Sequence, residues 1–169
     1  MNYWRGHREV VLHWSCPART LSEFTHPRPE DGEPTMSEDP KAVVRQCYHA
    51  VSNGDFGSLS AVLADDVVEH EELPGLEPNK DGVIQFFRGM REAFPDMEMV
   101  PDAIITESDL VAARVTLKGT HRGDFMGMPG TGKEIVVPVA DFFRVENGQI
   151  AEHWGVADMA SMMEQLGGD

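Results

Sequence analysis

Residues 141–154 (DFFRVENGQIAEHW) hold the side chains best suited to chemistry in this chain. Asp141 falls in the apolar register of a strand, sharing one face with Ile135, Val137, Val139, Phe143 and Val145. A carboxylate in such a row loses solvation, so it needs a partner or a task. His153 follows on the next extended segment. His121 ends a strand whose inner register reads Val111, Ala113, Val115, Leu117, Gly119, and His70 ends another short strand. Any one of these histidines alone is more often a structural residue. Three of them near one inward aspartate point to a polar cluster in an apolar pocket. The chemistry would be proton transfer: Asp141 removes a proton next to a carbonyl, and His153 orients it or shuttles the proton. His121, with His70 as a further candidate, would donate a hydrogen bond to the developing enolate oxygen.

The partner of Asp141 depends on the Asn147-Gly148 turn, the strongest short-range hairpin signal. A strict two-residue loop pairs Glu146 with Gln149 and sets Asp141 opposite Trp154. A turn with Gly148 in a left-handed bulge pairs Val145 with Gln149 and sets Asp141 opposite His153. The bulged register keeps Arg144 and Glu152 together on the outer face, whereas the strict one sends Glu152 inward beside Phe143. The bulged turn is therefore the expectation.

The elements that must carry these residues are regular from Asp39 onward. Asp39 caps a helix with Pro40 at its first position and Val43, Val44, Cys47, Tyr48 and Val51 as its apolar stripe, ended by Asn53-Gly54. Asp55 caps a second short helix with Leu59, Val62 and Leu63. A strand follows over Val67–His70, then a Pro/Gly loop. Asp81 opens a third helix with Val83, Ile84, Phe87, Met90 and Phe94 inward. Strands are expected over about 97–106, 110–121, 134–146 and 149–156, with a last helix over about 158–166. Helices first and a mostly antiparallel sheet second is an α+β pattern, and a strongly curved sheet over helices leaves a cone with an open mouth. The expected pocket walls are His70, Phe86, Phe87, Val137, Val139 and Phe143. Residues 1–35, with four prolines and no period, read as a disordered N-terminal extension, and 36–169 as the folded domain.

Composition narrows the partners. The formal charge is -15, from 14 basic and 29 acidic residues, which argues against nucleic acid and anionic membrane. Cys16 and Cys47 make no disulfide framework, and no apolar run reaches a membrane span, so a cytoplasmic location is expected. No HxH or HExxH spacing supports a metal, and none is expected. Cys47 on a helix face and the lack of a Gly-x-Ser-x-Gly elbow speak against a covalent nucleophile. Residues 127–133 match the spacing of a phosphate loop, but Glu134 and a β-run follow where Ser/Thr and a helix are required.

Several segments resemble the SnoaL-like polyketide cyclase (ester cyclase) family. They are Phe94-Pro95-Asp96, Gly119-Thr120-His121 with Gly123, the glycine-rich run 127–133, Asn147 to Trp154, and Gln165-Leu166-Gly167. The resemblance covers about residues 38–167. It implies an NTF2-like cone-shaped α+β barrel, often a homodimer, with a site that needs no cofactor or metal. It also implies ring closure of a polyketide ester by intramolecular aldol chemistry. In the aromatic-polyketide cyclases the catalytic Asp lies two residues after the histidine of the last strand. That position is Gly155 here, and Asp141, expected near it on the same face, could supply the carboxylate. Two readings follow: a small-molecule enzyme doing acid/base chemistry on an apolar or aromatic ketone or ester, and a non-catalytic module binding an apolar metabolite.

Overall fold

The computed structural model describes residues 39–167. The expected disordered extension 1–35, with Trp4, Trp14 and Cys16, lies outside the described residues. Helix α1 (Pro40–Asn53) begins at the Asp39 cap, whose side chain accepts from the Lys41 N–H, and ends at Gly54 in the left-handed conformation. Its stripe, Val43, Val44, Cys47, Tyr48 and Val51, is buried as expected. Each fully buried valine in such a stripe contributes roughly 1.5–3 kcal/mol. Helix α2 (Phe56–Val62) is capped by Asp55. Leu63, expected on that helix, instead starts strand β1 (Leu63–Glu69). Helix α3 (Lys80–Ala93) is capped by Asn79, which accepts from the Gly82 N–H, so Asp81 sits in its first turn rather than at its start.

Strands β2 (Glu98–Glu107), β3 (Leu110–Thr120), β4 (Glu134–Glu146) and β5 (Gln149–Ala157) follow, and helix α4 (Met159–Gly167) closes the order. The sheet runs β1-β5-β4-β3-β2; β1 lies parallel to β5 and the other pairs are antiparallel. Strand β4 alternates buried and exposed residues along nearly its whole length, with Asp141 in the buried row. A strand, not a helix, follows the glycine-rich run 127–133, as the rejection of a phosphate loop requires. No described helix is long and apolar enough to cross a membrane.

The hairpin between β4 and β5 corrects the expected register. Asn147 (φ 50°) and Gly148 (φ 76°) form a two-residue turn, and Glu146 pairs with Gln149. Two positive φ values give the turn whose twist matches the flanking strands. The extra residue is still there, displaced to Ala151: Val145 pairs with Ile150 and Arg144 with Glu152. That keeps Glu152 outside, facing Arg144 at 2.8 Å. Arg144 and Glu152 therefore share the outer face as expected, while the bulge lies at Ala151 and not in the turn. Asp141 ends opposite Gly155, and His153 opposite Phe143.

Candidate active site

Four elements bring ionisable or hydroxyl groups to one place inside the sheet. Asp141 of β4 is 4% exposed. Tyr48, from the buried stripe of α1, donates its hydroxyl to Asp141 Oδ2 at 2.7 Å. His153 of β5 places Nε2 3.5 Å from Asp141 Oδ1 and donates from Nδ1 to Glu69 Oε2 at 2.7 Å. Glu69, the last residue of β1, is buried, and its Oε1 accepts the Glu71 N–H at 2.9 Å. The parallel pairing of β1 with β5 sets Glu69 beside His153. These groups lie against a cavity of about 700 Å³. Its remaining wall is mostly apolar, with seven methionines among the lining residues, an adaptable surface.

The charges order one another. Burial alone would lower the His153 pKa, but the adjoining Asp141 and Glu69 carboxylates overcome this and push it from 6.5 up to about 9. His153 is therefore an imidazolium at neutral pH, a donor held between two carboxylates rather than a free base. Burial, then the charge and hydrogen bond of Asp141, pushes the Tyr48 phenol far up, so it stays a donor. Burial, with Asp141 and Glu69 nearby, pushes the Cys47 thiol up to about 12, which removes it as a nucleophile. Glu71 is raised above the usual carboxylate range by burial and by the charges of Glu69 and Asp141, against the opposing pull of His153.

Of the residues expected from sequence, Asp141, His153, Phe86, Phe87, Val139 and Phe143 line the cavity. Val137 is fully buried core and does not reach it. His70 is a correction. Because Glu69 points inward, alternation sends His70 outward, where it stacks on Trp154 (ring centroids 4.5 Å apart) and meets Glu152 at 2.9 Å. His121 is a second correction. It is fully buried, packed on Phe94 and Phe125, with Nδ1 3.1 Å from the Thr131 hydroxyl, and it is absent from the cavity wall. The expected oxyanion donors are therefore both elsewhere.

Tyr48, Glu69 and Glu71 were not anticipated. A signal existed for Tyr48, since a phenol in a buried helical stripe needs a hydroxyl partner. For the glutamates the signal was ambiguous, because Val67 and Val68 are both apolar and leave the facing of β1 undecided. Glu69, Glu71 and His153 also offer donor atoms within 4.8 Å of one another, the arrangement a metal ion would use among the described residues. His153 Nδ1 is already engaged by Glu69, so an ion there would have to displace that hydrogen bond.

The profile of the SnoaL-like polyketide cyclase family matches residues 41–166. The chain belongs to that family. Among solved structures, this SnoaL-like chain is similar to IdmH from Streptomyces antibioticus, a candidate polyketide cyclase. The two share 31% identity over 77% of this chain and 99% of IdmH, with a TM-score of 0.70. AclR from Streptomyces galilaeus, a candidate hydroxylase, shares 29% identity over 76% of this chain and 95% of its own, with a TM-score of 0.69. TsrD from Streptomyces laurentii shares 26% over 75% and 93%, also with a TM-score of 0.69. Among curated proteins none matches the chain. The four helices and five-stranded mixed sheet of the described residues are the expected α+β, NTF2-like architecture of the SnoaL-like family.

Proposed function

We propose that this SnoaL-like protein is an enzyme that removes a proton next to the carbonyl of an apolar or aromatic ketone or ester, with no cofactor. The observation that carries this reading is Asp141: a buried carboxylate on a cavity wall, one oxygen held by Tyr48 and the other facing an imidazolium. Such a carboxylate is fixed in place and keeps a lone pair toward the bound molecule. His153, kept charged by Glu69 and Asp141, stabilises the ionised base and does not compete for the proton. An enolate so formed adds to a second carbonyl of the same molecule to close a ring, or is reprotonated elsewhere to isomerise it. Family members of similar identity carry different reaction names, so the reading rests on the first step they could share. A cytoplasmic setting belongs to the same reading, and the buried free thiol of Cys47 supports it.

Among the described residues the lining includes Glu69, Glu71, Glu72, Asp124 and Asp141, one histidine, and no lysine or arginine. Anions meet a field of their own sign there. β-Tetralone, a neutral bicyclic ketone, is therefore expected to lose its α-protons to D2O faster with the protein than without it, followed by proton NMR. A β-tetralone carrying a ring carboxylate should bind about tenfold more weakly or worse, a difference of roughly 1.4 kcal/mol. No acceleration with any neutral ketone, together with ordinary binding, would favour the non-catalytic reading.

We also propose a homodimer through the outer face of the sheet. Ile105, Ala112, Phe142 and Trp154 are in register across four strands, forming one apolar row on that face. Ile105 and Phe142 are 68% and 55% exposed, and Val156 beside them is 72% exposed. Large apolar side chains gathered this way mark an interaction surface. Light scattering should give twice the chain mass for the wild type and the chain mass for Phe142→Lys. A monomeric wild type at micromolar concentration sinks the proposal.

A further inference from the structure

Gly155 is a glycine for which the backbone gives no reason, since its φ is not in the left-handed region. The space around it does. A Cβ built there would fall inside contact distance of Glu71 Oε2, 3.0 Å from His153 Cε1 and 3.3 Å from Asp141 Oδ1. The missing side chain is the room in which the Glu71 carboxyl sits, over the Asp141–His153 pair. Glu71 is aimed there by its own backbone, because its N–H is tied to Glu69 Oε1. Among the described residues no protein group hydrogen-bonds to the Glu71 carboxyl, although it lines the cavity. A partly buried carboxyl with room made for it and no protein partner is placed for a bound molecule.

We infer that Glu71 is the catalytic general acid, protonating the carbonyl oxygen of the substrate while Asp141 takes the α-proton. This rests on the acid/base reading above and supplies the oxyanion donor that His121 and His70 do not. The step balances. The C–H electron pair becomes the C=C bond of the enol, the carbonyl π pair moves to oxygen, and that oxygen takes the Glu71 proton. Asp141 ends protonated and Glu71 ionised. Return of the enol proton to Glu71, and of a solvent-derived proton from Asp141 to carbon, restores both groups. The burial and the neighbouring carboxylates that favour the protonated form of Glu71 suit it to this task.

The site offers an indirect way to remove Glu71. Gly155→Ala puts a methyl where its carboxyl lies, but that methyl would also stand 3.0 Å from His153 Cε1 and 3.3 Å from Asp141 Oδ1, so it crowds the base as well as Glu71. Glu71→Ala removes the carboxyl directly, leaves Asp141 and His153 uncrowded, and carries the test. With β-tetralone in D2O, each variant is expected to lower the α-proton exchange rate about 100-fold with binding little changed. Wild-type exchange in Glu71→Ala, while Asp141→Asn is inactive, overturns the role of Glu71 and leaves the base in place. Wild-type exchange in Asp141→Asn as well, or no exchange by the wild type, overturns the acid/base reading first and the Glu71 role with it.

Discussion

Asp141→Asn is expected to lower the rate of α-proton exchange about 1000-fold, within the range that a positioned base supplies. The amide is nearly isosteric and its oxygen can still accept from the Tyr48 hydroxyl, so the variant should fold and bind β-tetralone as the wild type does. What it lacks is a lone pair basic enough to take a carbon-bound proton. The same variant reports on His153. With Asp141 neutral, burial still disfavours the imidazolium, and Glu69 alone opposes it. The His153 titration followed by NMR should therefore fall from about 9 toward the ordinary value. An unchanged titration would mean that the 3.5 Å contact carries no interaction.

His153→Gln should destabilise the fold by about 3–5 kcal/mol near neutral pH, the cost of removing one partner from a buried ion pair. Glu69, Glu71 and Asp141 would then face one another without their one adjoining cation. The folded-state pKa of His153 lies above its unfolded value, so its contribution is complete below about 6.5 and is lost as pH rises through about 9. That rise corresponds to roughly 3 kcal/mol. Glu71 is shifted in the same direction, so its protonated form likewise favours the folded state at lower pH. Wild-type stability should therefore decline between about pH 6.5 and 9, and the variant should lack most of that slope. The gap between the two is widest at and below about pH 6.5 and narrows in alkali, where the wild-type imidazole is neutral. Urea midpoints across this range measure it; a constant gap would show that His153 is held by packing rather than charge.

The elements were legible where a local signal fixed them. Asp39, Pro40 and Gly54 bound α1, and the alternation of β4 placed Asp141 inside before any partner was known. The site was legible only in part, for reasons of distance along the chain. Glu69 meets His153 through a parallel pairing of segments far apart in sequence, which no hairpin rule reaches. His70 was misplaced by one residue of alternation, since Val67 and Val68 are equally apolar and either could have been the buried one. Local pattern gave the facing of β4, whereas the facing of β1 depended on a neighbour it finds only in the folded sheet.

Strand β1 borders only β5 in the sheet, in a register that is irregular between Leu63 and Val68. Yet this outermost joint brings Glu69 to His153 and starts the loop that carries Glu71. A partly folded chain with the β2–β3–β4–β5 meander complete would already hold Asp141 and His153 on neighbouring strands, but its histidine would lack Glu69. Docking of the border strand is therefore also the moment at which the site acquires its charge balance. Parting that border would separate Glu69 from His153 and release the Glu71 N–H, the contacts on which the proposed acid/base reading rests.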